Sequence, residues 1–392
     1  MIKTKNILFY LIRFPGYGGI ESVCTQIGNA LSKQGYSIYI ASYIQENEDE
    51  LLPKLDSRIT LFKLSSNQKN AKKELENIIK EKEIDLITFH DSYARIEKPL
   101  IKAVKKTKAK LLTFEHSATN SHLLYKRRVL YQNPKTKFEQ IKKLIYGPFI
   151  KWKKFINDRN RKRKLYRISN KYVVLSRKFF DDFIMINGIK NANKLCAINN
   201  PITFIPESNM NVKENIVLYV GRITNGQKRI DKMLSAWSKV SIDHPEWRFM
   251  IVGDGEGKCS FEEQVKRENI HNVIFTGASP TPIDYYKKAK IFLMTSDYEG
   301  WGNTLPESMS QGCVPVTLNN YASLTDIIDN ELNGFVVDNN DEQQFIAKMS
   351  LLMNDEHLYR TMAKNAVEKS KKFQINNIVK DWIQLFDEIE HE

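Results

Sequence analysis

Thr295-Ser296-Asp297-Tyr298-Glu299-Gly300-Trp301-Gly302-Asn303-Thr304-Leu305-Pro306-Glu307-Ser308-Met309-Ser310-Gln311-Gly312-Cys313-Val314-Pro315-Val316 is the stretch whose reading decides the fold. It reads as a strand end, a glycine-rich turn, a short helix, a second glycine turn and a new strand. The run Ile291-Phe292-Leu293-Met294 that feeds it is short, apolar and bounded by turn signals, as a buried parallel strand should be. Gly300 and Gly302 allow a sharp turn and a close approach to a ligand. Leu305 to Gln311 has helical composition, with Pro306 in the first turn and Gly312 placed to stop the helix. Pro315 is acceptable because it stands at the start of the next strand.

Two carboxylates share this frame, Glu299 in the turn and Glu307 just inside the helix. The adjoining helix N-terminus offers free N–H groups and the positive end of a dipole, which suits a phosphate. Carboxylates that accept sugar hydroxyls, beside an anion seat, have the chemistry to hold a sugar nucleotide. Each residue alone has a plainer reading, Glu307 as a glutamate that favours the dipole and Glu299 as a solvated loop residue.

The stretch resembles the E-x7-E signature of family-4 glycosyltransferases, retaining enzymes of the GT-B fold. Thr295-Ser296, Gly312 and Pro315-Val316 flank it as they do in that family, and Ser308 stands where alanine is usual. The resemblance implies that Glu299 contacts the donor sugar and Glu307 the ribose hydroxyls. Asn303, Thr304 and Leu305 are implied at the donor diphosphate.

The chain has 392 residues, 42% of them hydrophobic, enough for two domains of ordinary size with real cores. No apolar run reaches the ~18–20 residues that span a bilayer. The run Ile7 to Ile12 mimics a signal peptide but is too short and is interrupted by Arg13, so it reads as a first strand. Cys24, Cys196, Cys259 and Cys313 lie far apart, which suggests neither a disulfide framework nor a zinc site and fits a reducing cytoplasm. The formal charge of +14 implies an anionic partner: nucleic acid, acidic lipid or a phosphorylated substrate.

From the amino terminus, strand Ile7 to Arg13, the loop Phe14-Pro15-Gly16-Tyr17-Gly18-Gly19-Ile20-Glu21, an amphipathic helix and strand Ser37 to Tyr43 form a β–loop–α–β unit. A dinucleotide fingerprint would need an acid after the second strand, and none follows Ser42 or Tyr43. The loop instead resembles the family's G-G-x-E turn, here Gly18-Gly19-Ile20-Glu21, which implies that the Gly19 N–H reaches the donor and sets Gly18 and Glu21 on the acceptor side. Strands Ile59 to Leu64, Ile84 to His90 and Lys110 to Phe114 then alternate with helices Ala71 to Lys82 and Arg95 to Lys106. This pattern predicts a parallel sheet whose ligands bind beyond the carboxyl ends of the strands. His90 and His116 fall at those ends. A histidine there is more often structural. By the resemblance, His116 stands where the family keeps a histidine near the donor sugar; His90 has no such match and is placed on the acceptor side from its position alone.

Between residues 121 and 170 the alternation breaks. Lys126, Arg127, Arg128, Lys142, Lys143, Lys151, Lys153, Lys154, Arg159, Arg161, Lys162, Arg163 and Lys164 interleave with Phe138, Ile141, Leu144, Ile145, Phe149, Trp152, Phe155 and Ile156. Spacings of three and four put much of the apolar set on one helical face, the pattern of a helix lying on an anionic membrane. Nucleic-acid binding and inward packing of the apolar face are the competing readings. Strand Tyr172 to Ser176 resumes the pattern, and Asn200-Pro201 resembles the family's N-P segment at the end of a first domain.

The second half restarts with strand Asn215 to Val220, Gly221-Arg222-Ile223 and a helix from Lys228 to Val240. Strand Arg248 to Val252, the loop Gly253-Asp254-Gly255-Glu256-Gly257 and strand Val273 to Thr276 follow. The order is similar to that of the family's second domain, and Arg222 and Lys228 match its diphosphate-binding pair. Arg229 stands where glycine is commonest. A cation at a helix start opposes the dipole, so Lys228 there calls for an anion beside it.

The expected architecture is α/β, GT-B: two doubly wound Rossmann-like parallel-sheet domains facing a cleft. Residues 1–200 form an acceptor-side domain, 201–374 a nucleotide-sugar-binding domain, and 375–392 a terminal helix that crosses back onto the first. The expected reaction moves a hexose-type sugar, with retention, from a nucleotide-diphosphate donor (UDP first, GDP second) to a hydroxyl of a lipid-linked or cell-surface saccharide. Catalytic roles fall to Glu299, His116, Arg222 and Lys228. No Asp-x-Asp occurs, so neither a metal nor another cofactor is expected, and the cations take the metal's part. An anionic membrane surface is the expected partner, nucleic acid is not, and the expected place is the cytoplasmic face of the cell membrane. A nucleic-acid-binding protein, a non-catalytic sugar-nucleotide binder and an epimerase are the alternatives.

Overall fold

The computed structural model describes residues 5–91, 96–119, 137–202, 204–207 and 209–390, without the side chains of residues 137–148, 150, 151 and 210. Arg95, Lys126, Arg127 and Arg128 lie outside the described residues, as do the side chains of Phe138, Ile141, Lys142, Lys143, Leu144, Ile145 and Lys151.

The chain divides into two compact units. In the first, β1 (Asn6–Arg13), β2 (Ser37–Ile44), β3 (Thr60–Lys63), β4 (Leu86–Asp91), β5 (Lys110–Glu115), β6 (Lys171–Val174) and β7 (Leu195–Ala197) form one sheet in the order β3-β2-β1-β4-β5-β6-β7. In the second, β8 (Glu214–Val220), β9 (Arg248–Val252), β10 (Val273–Gly277), β11 (Ala289–Met294), β12 (Val314–Leu318) and β13 (Phe335–Val337) pair in the order β10-β9-β8-β11-β12-β13. Adjacent strands run parallel throughout, for example Phe9 against Ile40 and Leu293 against Val316. The strand sequences are near-continuous apolar runs because helices cover both faces. In each unit the winding reverses once, between β1 and β4 and between β8 and β11. Such a switch point leaves a crevice beyond the carboxyl ends of its two strands, where ligands of open α/β sheets bind.

The helix Ile375–Glu390 belongs to the first unit. Ile378, Val379, Trp382, Leu385, Phe386 and Ile389 are buried in the same core as Phe9, Ile27 and Phe114. The Trp382 ring stacks on Phe114 with centroids 4.1 Å apart. At roughly 1.5–3 kcal/mol per large apolar side chain removed from water, these six residues are a large share of that core. In the second unit, Trp237, Phe249, Leu293, Val316 and Met349 anchor a separate core.

The helix Lys137–Ile168 carries most of the basic stretch, and part of that charge is not on its surface. Two of its cations point inward: Arg161 Nη1 lies 2.6 Å from Asp91 and Lys162 Nζ lies 2.6 Å from Glu115. Asp91 and Glu115 face each other in register at the ends of β4 and β5, and both are buried. Carboxylates buried there require compensating cations, so Arg161 and Lys162 fasten the helix to the sheet and are not surface charges. Phe149, Trp152, Lys153, Lys154, Lys164 and Arg167 are exposed.

Candidate active site

The loops that follow β8 and β11 meet at the second unit's switch point. Lys228 donates from Nζ to Glu299 Oε1 at 2.6 Å, with 18% and 11% of the two side chains exposed. Three further bonds clamp the loops: Gln227 Nε2 to the Tyr298 carbonyl at 2.9 Å, the Asp297 N–H to the Gln227 carbonyl at 2.9 Å, and the Thr295 hydroxyl 2.9 Å from the Arg229 carbonyl. Lys228 lies just outside the helix, which begins at Ile230 and not at Lys228 as the composition predicted. The anion beside it is therefore Glu299 of this same chain. Arg229 holds φ 51° and ψ 43°, the left-handed region where glycine is free. Its guanidinium lies 2.7 Å from Asp231 and 3.4 Å from Asp297, contacts that offset a backbone cost of about 1–2 kcal/mol.

Arg222 is exposed and its carbonyl accepts from Tyr219 at 2.9 Å. Burial, then the nearby Glu299 carboxylate, raises the Tyr219 phenol well above its ordinary range, so it stays a neutral donor. Gly253 (φ 149°) is obligatory here, since a Cβ would run into the Gly221 carbonyl. The close packing of these two loops keeps the Arg222 turn in place.

Beyond Gly302 (φ 79°) the helix Thr304–Ser310 starts one residue earlier than predicted, with Asn303 as its first flank and Gly312 (φ 79°) ending it. Leu305 is buried, while Asn303, Thr304 and Glu307 are half-buried. Glu307 Oε2 accepts from the Tyr286 hydroxyl at 3.3 Å. Burial, and secondarily Glu307, raises the Tyr286 phenol well above its usual value.

In the first unit, Gly19 opens the helix Gly19–Lys33, so its N–H is one of those without an intrahelical acceptor. Glu21 is buried and accepts from Arg13 Nε at 2.9 Å, and Arg13 also donates to the Tyr17 carbonyl at 2.6 Å. A Cβ on Gly18 would strike the Glu21 carboxylate. The G-G-x-E turn thus folds around an Arg13–Glu21 pair, and Arg13 escaped the sequence reading because it sits at a strand end away from the motif.

His90 and His116 are brought together at the carboxyl ends of β4 and β5. His90 Nδ1 lies 2.9 Å from His116 Nε2, and His90 Nε2 lies 3.1 Å from the Thr88 hydroxyl. His90 is fully buried, with Phe114 stacked on it at 5.3 Å. The acceptor-side reading of His90 is corrected accordingly: its neighbours are the protein's own, and its ring supports His116. Burial, and next His116, pushes His90 well below the usual imidazole range, while burial lowers His116 to about 4. Both are neutral at pH 7.

Residues 202–369 match the family model of the glycosyl transferases group 1. A Haemophilus influenzae protein described as an uncharacterized glycosyltransferase is 22% identical over 395 residues, covering 96% of this chain and 99% of that protein. The Campylobacter jejuni GalNAc-alpha-(1->4)-GalNAc-alpha-(1->3)-diNAcBac-PP-undecaprenol alpha-1,4-N-acetyl-D-galactosaminyltransferase is 29% identical over 180 residues, 46% of this chain and 50% of that enzyme. Among solved structures, Anabaena HepE in complex with UDP-glucose superposes with a TM-score of 0.77 at 15% identity, over 98% of this chain and 99% of that one. The two parallel-sheet units are those of the GT-B glycosyltransferase fold. The span that matches the group 1 model covers most of the second unit.

Proposed function

We propose that the protein is a retaining, metal-independent glycosyltransferase. It moves a hexose-type sugar from a nucleoside-diphosphate donor, UDP first and GDP second, to a hydroxyl of a lipid-linked or cell-surface saccharide. The observation that carries the proposal is the Lys228–Glu299 pair at the β8–β11 switch point, with Arg222 on the same loop. Sugar hydroxyls are bound by Glu299 and ribose hydroxyls by Glu307, and Lys228 and Arg222 meet the diphosphate. As the bond from the anomeric carbon to the diphosphate oxygen breaks, negative charge grows on the leaving group, and fixed cations stabilise it more than they stabilise the ground state. The acceptor oxygen bonds to the same face of the anomeric carbon, and the leaving phosphate takes its proton. His116 and the Gly19 N–H position the sugar and its phosphate. The UDP-glucose held by HepE supports a UDP-sugar donor, and the undecaprenol diphosphate in the Campylobacter enzyme's name supports a lipid-linked acceptor.

A lipid-linked acceptor calls for a membrane-facing surface. Among the described residues no helix is long and apolar enough to cross a membrane. On the helix Lys137–Ile168, Phe149 and Trp152 are 59% and 60% exposed with rings 6.2 Å apart, beside exposed Lys153 and Lys154. We assign this segment to an anionic membrane surface, with each cation contributing about 1 kcal/mol. The test of the activity is release of nucleoside diphosphate from a donor panel by the purified chain with a lipid-linked acceptor. Release that depends on Lys228 supports the reading, and transfer undiminished by Lys228→Ala contradicts it.

A further inference from the structure

The buried pair His90–His116 carries one inference more. His116 Nδ1 is a buried polar atom with no hydrogen-bond partner among the described residues. At the other end of the chain, the Thr88 hydroxyl is fully buried and its one recorded partner is His90 Nε2. Three groups in series admit two directions of donation. If His90 donates from Nε2 to Thr88, the threonine O–H is left buried without an acceptor, and His116 Nδ1 is a bare nitrogen without a donor. If Thr88 donates to His90 Nε2, then His90 donates from Nδ1 to His116 Nε2, and every hydrogen as far as His116 is used. Each direction leaves one unmade donor, which costs about 1–3 kcal/mol if nothing meets it. In the first it is the hydroxyl of Thr88, a fully buried strand residue, whereas in the second it is the Nδ1–H of His116, a half-buried residue just beyond the end of β5, where a ligand oxygen can accept it.

We propose that Thr88 and His90 are positioning residues that fix the tautomer of His116, so that its Nδ1–H is presented as a donor to an oxygen of the transferred sugar. The surroundings favour this arrangement. His90 is sandwiched in an aromatic box, with Phe114 at 5.3 Å, Phe9 at 5.4 Å and Trp382 at 6.1 Å. Neutral imidazoles suit such a box, and a neutral imidazole has one donor and one acceptor, so fixing one end of the series fixes the other. Trp382 comes from the terminal helix, which therefore helps hold the ring that holds His116. The sugar contact rests on the function proposed above, whereas the tautomer does not.

The experiment is 15N–1H correlation of the full chain labelled with 15N-histidine, with the His116 signals assigned by their loss in His116→Gln. Protonation of His116 at Nδ1 in the wild type is expected. Thr88→Val, nearly isosteric, and His90→Phe, shaped for the box, should give a mixture of tautomers. His90→Gln, whose amide can donate to His116 Nε2, should restore the Nδ1–H form. In parallel, kcat should fall about tenfold or more with the mixture, with donor KM little changed, and recover in His90→Gln. Protonation of wild-type His116 at Nε2, or an unchanged tautomer in Thr88→Val, overturns the proposal. A tautomer that responds as described while kcat does not move upholds the relay and removes His116 from contact with the sugar.

Discussion

Lys228 Nζ and Glu299 Oε1 lie 2.6 Å apart although 71 residues separate them in the chain. The contact joins the loops that leave β8 and β11, the two strands on either side of the second unit's switch point. An ammonium has three donors, so Lys228 can keep Glu299 while it meets a phosphate oxygen. Its removal therefore has two consequences: the diphosphate loses a cation and a mostly buried carboxylate loses its counter-ion.

Lys228→Ala and Arg222→Ala should accordingly differ. Both should lower kcat, but only Lys228→Ala should also destabilise the protein, because Arg222 is exposed. A surface truncation shifts stability within about 0.5 kcal/mol. Urea titration with parallel kinetics distinguishes them. Equal stability of the two variants would show that the pair is not held in solution.

Glu307→Ala should weaken donor binding by roughly 1.5–3 kcal/mol, the worth of a hydrogen bond to a charged acceptor. Calorimetric titration of the intact nucleotide sugar measures it. A variant that binds donor as tightly as wild type removes Glu307 from the ribose.

Excess chelator should leave turnover close to its normal rate, since the cations take the place of a metal. Activity lost to chelator and restored by Mg²⁺ or Mn²⁺ would show that the diphosphate is held otherwise.

The buried histidines make stability depend on pH in a stated direction. An imidazole ordinarily titrates near 6.5, and folding lowers His116 to about 4 and His90 well below its usual value. Between about 6.5 and 4 the unfolded chain binds protons that the folded chain refuses, so stability is present above that window and is lost as pH falls through it. The urea midpoint should drop from pH 7 to pH 5, and less steeply in His90→Phe. An equal drop in both would place the effect elsewhere.

The inward and outward cations of the helix Lys137–Ile168 should separate cleanly. Lys162→Ala leaves Glu115 buried without a counter-ion and should cost about 3–5 kcal/mol. Neutralising Lys153 and Lys154 should leave stability unchanged but reduce sedimentation with anionic vesicles, and added salt should reduce it further in the wild type. Vesicle binding that survives the neutralisation would assign this segment to packing.

Much of this was legible in the sequence because it is local. The E-x7-E turn, its glycines and the apolar strand before it carry their own geometry, and the two parallel sheets follow from repeated alternation. Pairings between residues far apart were not legible. Nothing near Arg161 or Lys162 in the chain announces Asp91 or Glu115, and a run of cations at helical spacing looks the same whether it faces solvent or a buried carboxylate. Short elements such as β7 and the helices Phe180–Asn187 and Ile283–Lys288 have too few residues for a period to show. The left-handed Arg229 kept its place against propensity because two carboxylates hold its side chain.

The most direct test of the central claim is calorimetric titration of UDP and GDP, in chelator, into the wild type and into Arg222→Ala/Lys228→Ala. A free nucleoside diphosphate carries the charge that develops as the sugar leaves, so it reports the cations better than the donor does. The account predicts that the wild type binds at least one of the two without metal, and that the folded double variant binds it at least about tenfold more weakly, one charged contact's worth. Equal affinity in the two proteins, or no binding of either nucleotide by the folded wild type, would contradict it.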